Sequence, residues 1–281
     1  MLAARLPSDV DSSASLHLSA LLSSQPTLLR DAAARVAATR RPLDALRSGV
    51  GLSLAVNLAR RYGGARIGHD ASGRPRVLYD DDTGPHPAGA AADVSISHHG
   101  AWVVAAAAPA GARVGVDVLR LDAAPASAVA RARLAAYMAP EERAALGTAA
   151  PHQMRLFAAL WAAKEAVVKA RGGAGVSAAA FAALALAPTS LAALMAWVAR
   201  GDGDDGIELV LCPPLEGEGR LHVWMLDAEH VAALAHCGES EDTGVEPWPP
   251  RVEEVRFEDA LEGMGASVRG GPFRLKAASS L

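Results

Sequence analysis

The order of helical and strand-like segments is the feature that most constrains the fold of this chain. Residues 16–62 and 151–173 carry apolar residues at helical spacing, and each stretch is followed by segments typical of strands. Residues 92–108, ADVSISHHGAWVVAAAA, predict a strand, a turn and a strand, and residues 207–238 predict a second meander. Because helices and strands do not alternate regularly, this order favours an α+β fold with antiparallel sheets.

The pattern of a helix followed by strands occurs twice, which predicts two similar halves in the 281 residues. We predict an N-terminal half at residues 1–110 and a C-terminal half at residues 111–238, each with a helix packed on a small antiparallel sheet. After Gly238 the content of Glu, Pro and Gly rises, so residues 239–281 are predicted to form a peripheral or partly disordered tail.

Composition and charge argue against several classes of protein. The net charge of −4 argues against a general nucleic-acid-binding protein, although it leaves room for a local basic pocket that binds a small anion. Two cysteines are too few for a disulfide framework, and the N-terminus lacks a signal-peptide core, so we expect a cytoplasmic protein. Residues 172–199 are uncharged, but Pro188 and the many alanines argue against a membrane span. We expect a monomer without nucleic-acid or membrane partners.

One carboxylate interrupts the apolar strand predicted at residues 112–121. Asp117 lies on the strand face opposite Val116 and Val118, and Gly115 permits another backbone to approach closely. Taken alone, Asp117 suits a solvent-facing position on a half-exposed strand. It also suits Mg²⁺ binding, because this ion takes few protein carboxylates together with phosphate oxygens and water.

A second carboxylate lies in the helix predicted at residues 151–173. Glu165 precedes Lys169 by four residues, at the border between the core face, which contains Trp161, and the solvent face. An ordinary Glu–Lys pair at this spacing would stabilise the helix by only about 0.2–0.5 kcal/mol. The functional alternative requires Glu165 and Asp117 to bind one metal ion while Lys169 adds positive charge beside a phosphate.

Several other side chains are suited to binding phosphate groups. Ser97 and His98 lie in SISHHG, which predicts a polar turn between two apolar strands. Arg47 with Ser48, and Arg74, can supply further phosphate contacts. Each of these residues also has an ordinary structural interpretation, because lone histidines and surface arginines are common.

Three segments occur in a defined order along the chain: VSISHHGAWVVAA, VGVDVLRL and FAALWAAKEAVVKA. Their order and spacing resemble the motifs of the 4′-phosphopantetheinyl transferase superfamily, in particular its Sfp/AASDHPPT type. DALRSGVG, GRP and EHVAALA are similar to further motifs of this family, and the resemblance covers roughly Arg5 to Gly238. The combination is specific, whereas no single motif is.

The resemblance implies two pseudo-symmetric α+β halves with coenzyme A and Mg²⁺ bound in the cleft between them. It also implies transfer of the 4′-phosphopantetheine moiety of coenzyme A to a serine of an acyl or peptidyl carrier protein, which releases adenosine 3′,5′-bisphosphate. This is the activity of a holo-[acyl-carrier-protein] synthase. Carriers of fatty acid, polyketide, peptide or lysine biosynthesis all remain open as the protein substrate.

The family motifs also imply roles for individual residues. Asp117 and Glu165 match the metal-binding carboxylates, and Glu165 also matches the base that deprotonates the carrier serine. Lys169 matches the lysine that contacts the pyrophosphate of coenzyme A. His98 matches the histidine near the 3′-phosphate of coenzyme A, and the positions that fall at or beside other coenzyme A contacts are Arg47, Ser48, Arg74 and Ser97.

The sequence departs from the family pattern at some positions. Leu119 stands where many bacterial members carry a third metal-binding acid, so we expect a site with two carboxylates. Ser95 replaces the first asparagine of the histidine motif, Leu43 replaces an expected arginine, and an aromatic first strand is missing. The changes at Ser95 and Leu43 bear on affinity for the 3′-phosphate more than on the chemistry of transfer.

Two other classes of protein remain as alternatives. One is a non-catalytic module that binds coenzyme A or a carrier protein on the same fold. The other is an alanine-rich helical scaffold with accidental motif matches. The presence of Asp117, Glu165 and Lys169 together argues against the binding module, and the ordered set of three motifs argues against the scaffold.

Overall fold

The computed structural model describes residues 1–6, 42–61, 66–69, 74–78, 91–109, 111–123, 134–149, 152–173, 177–201, 206–212, 219–238, 253–255 and 260. These residues form a mixed α+β fold, which confirms the predicted fold class. The helix predicted at residues 16–62 is present from Pro42 onward, and its first part lies outside the described residues.

The described residues contain five α-helices: α1 (Pro42–Arg61), α2 (Pro140–Thr148), α3 (Gln153–Ala170), α4 (Ala178–Ala182) and α5 (Pro188–Arg200). Proline begins three of them. It lacks a backbone N–H, and in the first turn of a helix this group would have no partner within the helix. Helix α3 is followed by Gly172, whose φ of +78° suits glycine and accounts for the predicted stop. None of the described helices is both long and apolar enough to cross a membrane.

Twelve strands are described: β1 (Leu2–Arg5), β2 (Arg66–His69), β3 (Pro75–Leu78), β4 (Ala91–His99), β5 (Trp102–Pro109), β6 (Arg113–Arg120), β7 (Ala185–Leu186), β8 (Ile207–Leu209), β9 (Leu211–Cys212), β10 (Arg220–Asp227), β11 (His230–Cys237) and β12 (Glu253–Val255). One sheet has the order β12-β1-β5-β4-β3-β2, a second has the order β6-β11-β10-β8, and β7 pairs with β9. Among the described strands, only the β1–β12 pair is parallel.

Each half buries one helix against one sheet. In the N-terminal half, α1 packs on the six-stranded sheet through residues such as Leu46, Val50 and Leu54. In the C-terminal half, α3 packs on the four-stranded sheet through residues such as Leu156 and Leu160. This repeated arrangement agrees with the two similar halves expected from the sequence.

The two sheets face each other across a third apolar cluster. Trp102 and Val104 of β5 pack there with Val116 and Val118 of β6 and with Leu234 of β11. The layers therefore run helix, sheet, sheet, helix. The predicted apolar face of β6 is the face that joins the two halves.

Polar side chains of β4 meet the edge of β6 that has no strand partner among the described strands. They occupy alternate positions of β4, and we call them the seam residues: Asp93, Ser95, Ser97 and His99. Three of them accept hydrogen bonds from backbone N–H groups of β6: Asp93 from Val114 at 2.8 Å, Ser95 from Val116 at 3.0 Å and His99 from Arg120 at 2.9 Å. The alternation in the sequence thus marks a junction between halves, because these polar groups satisfy backbone atoms of a neighbouring strand.

The histidine motif does not form the polar turn predicted for it. Strand β4 continues through His99, and the turn consists of Gly100 and Ala101. Ser97 and His98 are therefore consecutive strand residues, and their side chains point to opposite faces of the sheet. A strand that ends in polar residues cannot be told from a polar turn by composition alone.

Part of the predicted peripheral tail belongs to the N-terminal half. Glu253–Val255 form β12, which pairs with β1, and the buried carbonyl of Ala260 accepts a hydrogen bond from Ser53 of α1. Strand β1 contains no aromatic residue. The remaining residues after Gly238 lie outside the described part, so the boundary at residue 239 stays a prediction.

Candidate active site

Strand β6 lies directly against helix α3 at Gly115. A Cβ atom at this position would lie 1.9 Å from the Ala166 carbonyl oxygen and 2.4 Å from the Ala170 nitrogen. No side chain other than glycine's hydrogen fits such a gap. The close backbone approach predicted at Gly115 is therefore an approach to α3, and it brings Asp117 next to Lys169.

Asp117 is held by groups from both halves. The residue as a whole is only 7% exposed, and its Oδ1 atom accepts a hydrogen bond from Lys169 Nζ at 2.7 Å and another from Ser97 Oγ at 2.7 Å. Lys169 Nζ also donates to the Val116 carbonyl oxygen at 3.0 Å. The structure thus brings three of the predicted site residues into direct contact.

Glu165 lies one turn before Lys169 on the same helix and is half-buried. Burial raises the pKa of its carboxyl group, the neighbouring charge of Asp117 raises it further, and Lys169 opposes both effects. Within the described residues, no hydrogen bond reaches this carboxylate. Glu165 is therefore more basic than an ordinary glutamate and lies close enough to Asp117 for the two charges to repel.

Arg47 ties helix α1 to the turn that follows β4. Its Nε and Nη2 atoms donate to the Gly100 carbonyl oxygen at 3.1 and 2.5 Å, and its Nη1 atom donates to Asp44 Oδ1 at 3.0 Å. Ser48 Oγ donates to the Asp44 carbonyl oxygen within the same helix. Both predicted phosphate-binding groups of α1 therefore have protein partners.

His98 lies in the same neighbourhood as two cations from different halves. Burial lowers the pKa of its imidazole, and the charges of Arg47 and Lys169 lower it further, while Asp44 opposes them. The imidazole of His98 therefore lies within range of a charge from each half, Arg47 on one side and Lys169 on the other. The imidazole is neutral near pH 7, and a nearby anion would raise its pKa again.

Arg74 is committed to contacts within the protein. It makes a two-point ion pair with Asp93, with Nη2 at 2.5 Å from Oδ2 and Nε at 3.1 Å from Oδ1. It also donates to the carbonyl oxygens of Val114 and Lys169. These bonds connect the two halves, and the role in coenzyme A binding expected from its position stays a prediction.

Asp93 carries a contact between the halves that none of the sequence motifs indicates. This buried carboxylate accepts hydrogen bonds from the side chains of Arg74 and Arg76 and from the Val114 N–H. The sequence feature that could have indicated Asp93 is its place as the first polar residue of an alternating strand. It could not reveal that the partner strand comes from the other half.

A second missed contact explains Lys164. Its Nζ atom lies 2.7 Å from Glu142 Oε2, both side chains are 1% exposed, and it also donates to the Phe181 carbonyl oxygen at 3.2 Å. Glu142 additionally accepts from the Ala139 and Leu186 N–H groups. Burial lowers the pKa of Lys164, and Glu142 opposes that shift. The two lysines of α3 therefore have different roles, since Lys164 joins α2 to α3 and the other lysine lies at the candidate site.

The chemistry of Asp117 and Glu165 fits a magnesium ion. Mg²⁺ prefers oxygen ligands and is commonly held by one or two carboxylates together with water and substrate phosphates. A cation between the two groups would also relieve the repulsion that raises the pKa of Glu165. The described residues contain no group of three or more side chains that could hold a metal ion, and the expected two-carboxylate site stays a prediction.

Comparison with known proteins bears on this region. Residues 113–194 match the model of the 4′-phosphopantetheinyl transferase superfamily. This segment is a 4′-phosphopantetheinyl transferase superfamily domain. It runs from β6 into α5 and contains Asp117, Glu165 and Lys169, so the predicted superfamily is confirmed, and the match supports phosphopantetheine transfer as the general activity. No curated protein matches the chain. The Sfp/AASDHPPT type stays a prediction.

Proposed function

We propose that the chain transfers the 4′-phosphopantetheine moiety of coenzyme A to a serine of an acyl or peptidyl carrier protein, in a Mg²⁺-dependent reaction that releases adenosine 3′,5′-bisphosphate. The observation that carries the proposal is the contact between β6 and α3 inside the matched segment. There Lys169 bonds to Asp117, and Glu165 lies one helical turn away.

Asp117 and Glu165 would hold the metal ion, which when bound would neutralise charge on the pyrophosphate of coenzyme A. Lys169 would add a fixed positive charge on the same side. Its side chain is 27% exposed, so solvent reaches part of it. Phosphoryl transfer depends mainly on positioning and charge neutralisation, and these three residues supply both.

Glu165 would accept the proton of the carrier serine, directly or through water. The serine oxygen then forms a bond to the phosphorus that carries pantetheine, and the bond from that phosphorus to the bridging oxygen breaks. The electron pair of the broken bond leaves on adenosine 3′,5′-bisphosphate. The position of Glu165 supports this role, because it lies one helical turn from Lys169 and, within the described residues, its carboxylate has no hydrogen-bond partner.

Coenzyme A would lie across the junction of the two halves. Arg47, Ser48, Ser97 and His98 are on the N-terminal side of this junction, and Lys169 is on the other. His98 is half-buried near two cations and is suited to a hydrogen bond with the 3′-phosphate. We further propose that the protein acts as a cytoplasmic monomer with coenzyme A and a carrier protein as its partners.

A transfer assay tests the proposed function. The protein is mixed with fluorescent coenzyme A, Mg²⁺ and an apo acyl carrier protein, and the matched control is the same carrier with its acceptor serine changed to alanine. We expect label on the first carrier alone, lost with EDTA and restored by excess Mg²⁺. Measurable coenzyme A binding with no label on several carriers would instead indicate a non-catalytic binding module. Transfer that is indifferent to EDTA would contradict the metal site.

A further inference from the structure

The hydrogen bonds at Asp117 differ between its two carboxylate oxygens. Oδ1 accepts from Ser97 Oγ and from Lys169 Nζ, both at 2.7 Å. A carboxylate oxygen offers about two lone-pair directions, so these donors occupy the acceptor capacity of Oδ1. Within the described part of the chain, no hydrogen bond reaches Oδ2, which leaves this oxygen available to a ligand.

Ser97 holds this carboxylate from the opposite half of the protein. It is 8% exposed, and its place in β4 is fixed by pairing with Val104 of β5. Among the seam residues it alone bonds to a side chain of β6, because the other three accept from backbone N–H groups. Through this hydroxyl group the N-terminal half contacts Asp117 directly.

We propose that Ser97 is a positioning residue of the metal site: its hydrogen bond to Oδ1 fixes the Asp117 carboxylate so that Oδ2 serves as the metal-binding oxygen. The inference rests on the proposed function, since it presumes that Asp117 and Glu165 bind a divalent cation. It gives Ser97 a role distinct from direct contact with coenzyme A. It also makes metal affinity depend on correct contact between the two halves.

Ser95 provides a matched control for Ser97. Both serines lie on the same face of β4, both are buried, and each makes one hydrogen bond to β6. Ser95 accepts from the Val116 N–H and does not touch Asp117. Substitution by alanine removes one seam hydrogen bond in either case, but only Ser97→Ala takes a hydrogen bond away from the Asp117 carboxylate, which then keeps Lys169 alone as a donor.

The experiment titrates MnCl₂ into the full chain without coenzyme A and follows the loss of the free Mn²⁺ signal by electron paramagnetic resonance. Substitution of a residue that hydrogen-bonds to a metal ligand commonly weakens metal affinity by 10- to 100-fold, so we expect about 10-fold weaker binding for Ser97→Ala. We expect unchanged binding for Ser95→Ala. Ser97→Thr, which retains the hydroxyl, is expected to bind nearly as tightly as wild type.

Each outcome supports or overturns the inference. Equal Mn²⁺ affinities for Ser97→Ala, Ser95→Ala and wild type would remove Ser97 from the metal site and leave the proposed transfer function intact. Wild-type binding no tighter than that of Asp117→Asn would contradict the metal site itself, and with it this part of the proposed function. If Ser97→Ala fails to fold, the Ser97→Thr and Ser97→Val pair makes the same comparison, because these side chains match in shape and differ in the hydroxyl.

Discussion

Gly115→Ala is expected to separate β6 from α3 and so to damage both the fold and the candidate site. The added Cβ would begin 1.9 Å from the Ala166 carbonyl oxygen, whereas real Cβ contacts are essentially never shorter than 3.0 Å. The strand and the helix must therefore move apart by about 1 Å, and the obstructing atoms are helix backbone, which cannot rotate away. The same movement would lengthen the 2.7 Å bond between Lys169 and Asp117.

The loss in stability expected for Gly115→Ala depends on which atoms obstruct the added Cβ. Overpacking a core costs about 1–3 kcal/mol, and a backbone obstacle places Gly115→Ala near the upper end, at about 3 kcal/mol. For a protein of this size, 1 kcal/mol corresponds to a Tm change of roughly 2–4 °C. We therefore expect the Tm of Gly115→Ala to fall by roughly 6–12 °C.

Thermal and urea unfolding of paired variants test this expectation. Gly147→Ala is the matched control, because it lies in α2 and a Cβ there would meet nothing within 4 Å. Alanine favours a helix over glycine by up to about 1 kcal/mol, so Gly147→Ala should be neutral or slightly stabilising. A Gly115→Ala protein that unfolds at the wild-type temperature and urea concentration would refute the reasoning about the β6–α3 contact.

Three further perturbations have defined outcomes. Lys164→Met should lower the free energy of unfolding, measured in urea, by about 3–5 kcal/mol, because it leaves the Glu142 carboxylate buried without its cation. Adding Glu142→Gln to this variant should recover part of that loss. A Lys164→Met protein as stable as wild type would contradict the buried ion pair. Burial raises the pKa of the Glu165 carboxyl group above its ordinary 4.5, so the folded metal-free protein holds the carboxyl proton more tightly than the unfolded chain does. The folded protein therefore loses stability as the pH rises from 4.5 through the raised pKa. Glu165→Gln should therefore melt higher than metal-free wild type at neutral pH and equally below pH 4.5, and identical melting profiles at all pH values would count against the shift. Burial alone would raise the pKa of Asp227, but hydrogen bonds from Trp102 and His230 outweigh burial and lower the pKa to about 2. The stability of the protein should therefore fall as the pH drops from 3.8 towards 2, and Asp227→Asn should weaken this pH dependence. The same pH dependence in Asp227→Asn as in wild type would contradict these hydrogen bonds.

The sequence predicted the fold class and the site best where the signal was local. Val116 and Val118 alternate with Asp117, so the two faces of β6 could be assigned before their partners were known. Gly115 likewise indicated a close backbone approach, and helix α3 is the element that approaches. Periodicity depends on neighbours in the chain, so these features could be read directly.

Contacts between distant segments could not be read in the same way. Lys164 and Lys169 look alike in an alanine-rich helix, and only the position of α2 shows that Lys164 is buried against Glu142. Strand β12 has only three residues and pairs with β1 at the other end of the chain, so no local sequence pattern predicts it. The sequence could not show that Arg74 pairs with Asp93, because the two residues become neighbours only when β3 and β4 form the sheet. Without that partner, Arg74 could be interpreted as a phosphate-binding arginine.

The most direct test of the central claim compares transfer rates for two glutamate variants. Glu165→Gln keeps the size of the side chain and removes its charge, and Glu208→Gln makes the same change at an exposed position of β8, at the far side of the four-stranded sheet from Asp117. With saturating Mg²⁺, coenzyme A and apo carrier protein, we predict transfer at least about 100-fold slower for Glu165→Gln, because a proton acceptor commonly contributes that much. Glu208→Gln should match wild type, whereas full transfer by a folded Glu165→Gln protein would contradict the proposed active site.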